Sequence, residues 1–345
     1  MSARVVQWAT GATGRRALGA VIDAPDLDLV GVRVYDPDKA GKDAGDLADR
    51  PATGVLTTAS KDDVIALAPD VVLFMGRVEQ DTDGCVADIA DLLASGANVV
   101  ATGAPLIDPG SVDPNRRIAL ESACKEGSSS FLGLGLFPGF WGEAIVPVLS
   151  RLAFQCDRIV VREALSYAGY PSTRMLFDIM GYGHLPESTE PLTAKPRTGG
   201  SPFNGTATII AKALDLEVGT IDSFREVAVT DVELNVAAGV IPAGTVGAIK
   251  FGVRADCGPV TIVVEHVTWM SPDVEPEWSR SEGYEIEFDG APTLRCNLVL
   301  GTKGEDHTEM GCLATAMHAV HAIPAALAAK PGVLDLADVN FVGGL

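Results

Sequence analysis

A glycine-rich turn near the beginning of the chain has the residue types and spacing of a dinucleotide-binding loop. The stretch VVQWATGATGRRALGAVI reads as an apolar strand, a turn and a helix, and it carries the last two glycines of a G-x-G-x-x-G pattern. Gly11 would let the backbone approach a pyrophosphate, and Gly14 would let the helix pack closely on the strand. Ala9 replaces the first glycine, where a tight turn is needed that alanine can often supply. The residues predicted to contact the cofactor here are Gly11, Ala12, Thr13, Gly14 and Arg15.

Asp36 and two arginines bear on the choice between NAD and NADP. Asp36 ends the second predicted strand about 20 residues after Gly14, the spacing expected of a carboxylate that accepts from the adenosine ribose and repels a 2′-phosphate. Arg15 and Arg16 favour a bound phosphate, because the helix dipole disfavours two cations in a first turn. The alternative is that both are solvated surface residues. The predicted cofactor is NAD or NADP, with NAD favoured.

Further candidates follow the strands and begin the second half of the chain. Ligands of an open parallel sheet bind beyond the carboxyl ends of its strands. The residues selected by this rule are Gly76, Arg77, Thr102, Gly103 and Phe137. Hydride transfer to a carbonyl or imine also needs a proton donor within about 3 Å of the developing negative charge. Tyr167 and Tyr170 in REALSYAGYPSTR are the first choices, and Glu163 and His184 are further options.

The hydrophobic pattern supplies a scaffold that brings such residues together. Residues 1–150 alternate apolar strands with helices, which predicts a Rossmann domain with a parallel sheet covered on both faces. Residues 151–308 read mostly as strands between turns, which predicts an α+β domain with a mainly antiparallel sheet for substrate binding and dimerisation. The helix of residues 309–330, which Pro324 must kink or split, is expected to pack back on the first domain. The Pro- and Gly-rich segment 181–205 is predicted to be a lid or an interface element.

Charge and composition narrow the functional classes. The 345 residues carry a formal net charge of −20, which disfavours nucleic acid as a partner. Neither a signal segment nor an uncharged apolar run long enough to span a bilayer is expected. The six cysteines form no C-x-x-C pair, and two histidines three apart on a helix lack further ligands at matched spacing, so no metal site is predicted. These features predict a cytoplasmic protein that acts on a small molecule.

Seven segments, taken in order, resemble a known family. They are VVQWATGATGRRALGAVID, YDPDKAGKDAGDL, ANVVATG, GLFPGF, IPAGTVGAI, GYEIEFDGAPT and HAIPAALAAKPG. The chain resembles, over nearly its whole length, the dihydrodipicolinate reductase-like superfamily, and within it the 2,4-diaminopentanoate dehydrogenase and native amine dehydrogenase group with its uncharacterised actinobacterial members. The resemblance implies a Rossmann domain, a second domain with a mixed sheet, a nicotinamide cofactor in the cleft between them, and a homodimer.

The departures from this family concern the chemistry. The chain lacks the His-His-x-x-Lys motif of dihydrodipicolinate reductases, so that activity is not expected. Amine dehydrogenases of the group have a glutamate just beyond the fourth strand, where residues 103–106 here read GAPL. Asp108 could replace that glutamate only if its loop turns inward. Phe137 and His321 stand where relatives often have asparagine, at places that the resemblance expects to face the nicotinamide.

The predicted function is hydride transfer to a carbonyl or imine of a small, fairly apolar substrate, with amine chemistry left open by the missing glutamate. The predicted catalytic residues are Tyr167, Tyr170 and Asp108. The alternative is a non-catalytic protein that binds NAD(P) or senses its redox state. The missing glutamate favours this alternative, whereas retention of both domains disfavours it.

Overall fold

Two β-sheets organise the chain, and each belongs to a separate unit. The computed structural model describes residues 2–191, 201, 203–274, 278, 282–336 and 339. The first unit combines Met1–Ala144 with Glu309–Leu345, and the second unit is Ile145–Thr308. One unit holds a parallel sheet with helices and the other a mixed, mostly antiparallel sheet, so the predicted fold class is confirmed.

The regular elements follow one another along the chain in a βα pattern that gives way to strands and then returns to helix. The strands are β1 (Ala3–Trp8), β2 (Leu27–Arg33), β3 (Thr57–Thr58), β4 (Val71–Phe74), β5 (Asn98–Thr102), β6 (Ser130–Leu134), β7 (Gln155–Ser166), β8 (Ile221–Val229), β9 (Leu234–Val236), β10 (Gly239–Ile241), β11 (Val246–Cys257), β12 (Val260–Trp269), β13 (Gly283–Ala291), β14 (Leu294–Leu298) and β15 (Gly332–Val333). The α-helices are α1 (Ala12–Asp23), α2 (Ala44–Ala48), α3 (Lys61–Ala66), α4 (Thr82–Ala94), α5 (Pro114–Gly127), α6 (Ile145–Ser150), α7 (Asn204–Ala213), α8 (His307–His321) and α9 (Ile323–Ala328).

The first unit has a Rossmann sheet. Its strand order is β15-β6-β5-β4-β1-β2-β3, and every pair is parallel. The central strand β4 is buried along its whole length, as its apolar sequence VVLF predicts for a strand with helices on both faces. This order places the carboxyl ends of β1 and β4 side by side, which puts the residues after both strands at one edge.

The second unit has a mixed sheet and a small hairpin. The sheet order is β14-β13-β7-β12-β11-β8, in which β7 and β12 are parallel and the other neighbours are antiparallel. Strands β9 and β10 form a separate pair. Helix α7 packs on β11 and β12, so one face of the sheet has a helical cover. The parallel β7–β12 pair fixes the register of the polar residues described below.

The C-terminal segment completes the first unit. Helix α9 packs on β5 and β6, and the Ser130 hydroxyl donates to the Ala326 carbonyl oxygen over 2.7 Å. Pro324 lies at the start of α9, which separates this helix from α8. By length and composition alone, His307–Ala328 is long and apolar enough to span a bilayer, which the sequence analysis did not expect. The contact with Ser130 is one that a helix makes inside a folded unit.

Alanine supplies the tight turn after β1, but at a conformational cost. Ala9 has a φ of 73°, in the left-handed region where the Cβ atom of an L-residue crowds the following carbonyl oxygen. The buried Gln7 side chain holds this turn, since its Nε2 donates to the carbonyl oxygens of Ala9 at 2.9 Å and Trp8 at 3.2 Å. The first position of the glycine pattern therefore has a conformation that glycine adopts without strain.

We expect Ala9→Gly to leave the free energy of unfolding within about 0.5 kcal/mol of wild type, or to raise it. Relief of about 1–2 kcal/mol of left-handed strain offsets the buried methyl group, about 0.8 kcal/mol, and the added freedom of glycine in the unfolded chain. Urea denaturation measures this. The matched control Ala17→Gly, in the interior of α1, should lose about 1–2 kcal/mol. Equal losses in the two variants would contradict the strain.

Candidate functional site

The N-terminus of α1 lacks the side-chain cap that its neighbours have. Its N-cap residue is Gly11, and no acidic residue occupies the first turn. The next four α-helices are each capped by a side chain, from Asp43, Ser60, Asp81 and Asp113. The first N–H groups of a helix have no partner within the helix, and they lie at its positive end. An anionic group such as a pyrophosphate fits this end of α1.

The two glycines of the turn differ in the space that surrounds their Cα atoms. A Cβ atom on Gly14 would lie 2.2 Å from the Ala9 carbonyl oxygen, so packing of α1 on β1 requires glycine there. A Cβ atom on Gly11 would meet nothing within 4 Å. The protein itself therefore does not require glycine at position 11, whereas a ligand that approaches the backbone there would.

We expect Gly11→Val to fold like wild type and to bind NADH at least about tenfold more weakly, because the added side chain occupies the space of the pyrophosphate. Thermal unfolding and a fluorescence titration with NADH measure the two effects. Gly14→Val should instead lower the unfolding temperature, because its side chain collides with the Ala9 carbonyl. A Gly11→Val protein with wild-type affinity would exclude this turn as the phosphate site.

Asp36 and the two arginines lie in different surroundings. Asp36 is exposed after β2, where its Oδ1 accepts from the Asp38 N–H at 3.0 Å. Arg16 pairs with Glu309 of α8 and also donates to the Ala12 carbonyl oxygen, and an Nη2 of Arg15 lies 3.8 Å from the same glutamate. Because Glu309 lies close to both arginines and balances their charge, the two cations in the first turn no longer argue for a bound phosphate of NADP.

A stack of aromatic rings and guanidinium groups lies where β1, β2 and β4 end. The Arg33 guanidinium lies 3.8 Å from the Tyr35 ring centre, and that of Arg77 lies 4.7 Å from the same ring. The Trp8 indole N–H donates to the Tyr35 hydroxyl at 3.1 Å. A Cβ atom on Gly76 would lie 2.8 Å from that hydroxyl, which explains the glycine. The predicted cofactor residues Gly76 and Arg77 are thus part of a packed cluster.

The residues predicted in the loop after β5 make contacts that have a structural explanation. Thr102 is the last residue of β5, and Gly103 has a φ of 139° with Val78 where its Cβ atom would be. Asp108 accepts from the Gly110 N–H at 3.3 Å and lies 3.7 Å from Arg117, which also reaches Asp335. This arrangement favours a structural role for Asp108 over the predicted catalytic one.

A histidine of α8 contacts the loop that follows β6. The Nδ1 atom of His318 lies 2.8 Å from the Gly135 carbonyl oxygen, and the Phe140 ring meets the imidazole edge-on at 5.0 Å between ring centres. Burial lowers the pKa of His318 below its usual 6.5, so Nδ1 donates from a neutral ring at pH 7. His321, the predicted residue, is exposed one turn later. The contact with this loop is therefore made by His318, whereas the resemblance singled out His321 of the same helix.

A buried acid also stabilises the loop that follows β6. Glu143 is 1% exposed, and its Oε2 accepts from the Gly139 N–H at 3.0 Å. Gly139 has a φ of 123°, so the chain turns sharply beside the half-buried Phe137. Sequence reasoning did not single out Glu143, although an acid two residues after the apolar stretch GLFPGFW was a signal of a buried role.

The second unit brings an acid, a histidine and a tyrosine together on one face of its sheet. Glu163 of β7 and His266 of β12 are direct register partners, and Glu163 Oε2 lies 2.7 Å from His266 Nε2. The Tyr167 hydroxyl lies 3.3 Å from the same nitrogen. The Tyr170 ring stacks on that of Tyr167 at 5.5 Å. The predicted donor Tyr167 and the optional Glu163 thus meet at His266, which sequence reasoning missed.

His266 was detectable only as one polar residue in an apolar alternation. In VTIVVEHVTW it falls on the same face of β12 as Val264, and it is 6% exposed. By contrast, His184 lies 3.6 Å from Glu190 at the surface. Part of the predicted lid 181–205, namely 192–200 and 202, lies outside the described residues.

Comparison with known proteins decides which family has this arrangement. Residues 145–345 match the family described as the 2,4-diaminopentanoate dehydrogenase C-terminal domain. An amine dehydrogenase from Streptomyces virginiae is 30% identical over 344 residues, which cover 97% of this chain and 95% of the relative. The chain belongs to this family. It is an NAD(P)-dependent dehydrogenase, as the resemblance of its segments implied.

Solved structures share the fold of this family member. An amine dehydrogenase from Mycobacterium smegmatis matches with a TM-score of 0.80 and 18% identity, over 99% of this chain and 97% of that one. An oxidoreductase from Agrobacterium radiobacter in complex with NAD+, L-tartaric acid and magnesium matches with a TM-score of 0.57 and 11% identity, over 98% and 93% of the two chains. At these identities the matches establish the architecture.

Proposed function

We propose that this dehydrogenase transfers a hydride between a nicotinamide dinucleotide and the carbonyl or imine carbon of a small, largely apolar substrate. The observation that carries the proposal is the uncapped N-terminus of α1, where Gly11 leaves open space in front of the helix. Family membership supplies the reaction class, and the solved oxidoreductase of the same fold holds NAD+. An anion-binding helix end in a dehydrogenase is best explained by the pyrophosphate of its coenzyme.

Residues of the first unit would bind and orient the coenzyme. The backbone N–H groups at the start of α1 bind the pyrophosphate, and Asp36 accepts from the ribose hydroxyl groups. The loop after β6, held by His318 and Glu143, lies at the carboxyl edge of the sheet and orients the nicotinamide end. The bound nicotinamide supplies or accepts the hydride.

Tyr167 would hold and deliver the proton. Its hydroxyl is a neutral acid, and its contact with His266 is the reason to prefer it to Tyr170, whose ring stacks on that of Tyr167. The rings of Phe203 and Phe251 surround this group of residues, which favours an apolar substrate. Amine formation would need ammonia as co-substrate, and the stretch 103–106 offers no carboxylate to bind it.

The decisive experiment is a turnover panel with the purified protein. We expect NADH oxidation, followed by absorbance, with apolar ketones and aldehydes offered with and without ammonium. Gly11→Val is the control of reduced activity, because we expect it to weaken coenzyme binding and to keep the fold. A protein that NADH stabilises against heat but that turns over no member of the panel would instead be the redox-sensing alternative.

NAD is the proposed coenzyme, and Asp36 is the residue that selects it. We expect Asp36→Ala to shift the ratio of kcat/KM for NADPH over NADH by at least about tenfold, because a carboxylate repels the 2′-phosphate. Asp38→Ala is the matched control, since Asp38 is an exposed acid two residues away and should leave the ratio unchanged. An unchanged ratio in Asp36→Ala would assign the preference to other residues.

A further inference from the structure

In the contacts of His266 with Glu163 and Tyr167, the donor of the hydrogen bonds can be assigned. The histidine is 6% exposed and the glutamate 9%. An ionised carboxylate only accepts hydrogen bonds, so the 2.7 Å contact with Glu163 Oε2 puts a proton on Nε2 of His266. The Tyr167 oxygen lies 3.3 Å from the same Nε2–H. One N–H group is therefore shared between a carboxylate and a phenol oxygen.

The other side of the imidazole is consistent with this proton position. Nδ1 of His266 is buried and has no hydrogen-bond partner among the residues that the structure describes. A bare nitrogen lone pair is cheaper to bury unpaired than an N–H group, so the proton belongs on Nε2. The surrounding groups are aromatic, with Phe251 at 5.1 Å and Phe203 at 6.4 Å between ring centres. Exclusion of water strengthens a hydrogen bond in such a place.

We propose that His266 is a positioning residue whose Nε2–H stabilises the Tyr167 oxygen when its proton leaves, and that Glu163 is a positioning residue that fixes the orientation of the imidazole, an inference that rests on the proposed function. As the hydride reaches the substrate carbon, the Tyr167 O–H bond breaks and its proton goes to the substrate oxygen or nitrogen. The electron pair stays on the phenol oxygen, which accepts the Nε2–H of His266. Glu163 holds that N–H in place. Water returns one proton to Tyr167 after the product has left, so each turnover consumes one hydride and one proton.

The opposite face of the same sheet shows a buried acid with a purely structural partner. Glu265, next to His266 in sequence, lies 2.5 Å from the Arg162 guanidinium and is 6% exposed. Arginine stays charged and does not exchange protons. The two glutamates have similar burial on neighbouring strands, yet only Glu163 reaches a tyrosine through its partner. Glu265 therefore provides a control for the loss of a buried ion pair.

The test compares turnover of single and double variants. We expect Tyr167→Phe to lower kcat by about 10²- to 10⁴-fold and His266→Phe by about 10- to 100-fold, with KM for NADH unchanged. His266→Gln, which keeps an amide N–H donor, should recover part of the loss. The double variant should be no slower than Tyr167→Phe alone, because His266 acts only through that hydroxyl.

The controls separate this role from a structural one. Glu265→Gln should lower the unfolding temperature but keep kcat, whereas Glu163→Gln should lower kcat. Tyr182→Phe removes a buried tyrosine hydroxyl that donates to Thr268, and it should also keep kcat. Additive losses in the double variant, or an equal loss in Glu265→Gln, would overturn the proposal.

A spectroscopic measurement tests the contact between His266 and Tyr167 without the need for turnover. In ¹⁵N-labelled protein we expect an imidazole N–H signal, assigned through its loss in His266→Gln, that shifts in both Glu163→Gln and Tyr167→Phe. Absence of a shift in Tyr167→Phe would overturn the inference whatever the substrate is. If the shift is present but the panel shows no turnover, the contact stands and the proposed function fails.

Discussion

The close approach of α1 to β1 at Gly14 is the contact on which the first unit depends. A single Cβ atom at that position would collide with the Ala9 carbonyl oxygen, so the helix could not lie on the strand with any other residue there. The same carbonyl accepts from the buried Gln7 side chain, and Ala9 itself adopts a left-handed conformation. The obligatory glycine, the strained alanine and the hydrogen bond from Gln7 together direct the positive end of α1 toward the carboxyl edge of the sheet.

Local patterns in the sequence were enough to predict the Rossmann half and the glycine turn. Five apolar strands alternate with helices, and each of these segments has a recognisable hydrophobic pattern. Strands β3 and β15 have two residues each, and they exist because they pair with β2 and β6 rather than because of their own pattern. Asp108 could be judged only with Arg117 and Asp335 in view, and Asp335 lies more than 200 positions further along the chain.

Side-chain direction was the other limit of the sequence. His318 and His321 belong to one helix, and only the place of that helix against Gly135 shows that His318 makes the contact. Glu163 and His266 are about a hundred positions apart, and the parallel pairing of β7 with β12 makes them neighbours. A shift of that register by one residue would pair His266 with Arg162 or Ala164 and move the histidine to the opposite face. Register is a property of the whole sheet, and no short motif encodes it.

The division of the first unit between the two ends of the chain has a consequence for its biosynthesis. Residues Met1–Ala144 leave the ribosome first, but α9 and β15 and the carboxylate of Glu309 are translated only after the whole second unit. The second unit is continuous in sequence and can fold as soon as it has emerged. Until then, β6 of the early-translated sheet lacks its neighbour β15, and Arg16 lacks its partner Glu309. During this interval the exposed edge of β6 is open to pairing with other nascent chains, so β15 protects that edge against aggregation as well as extending the sheet.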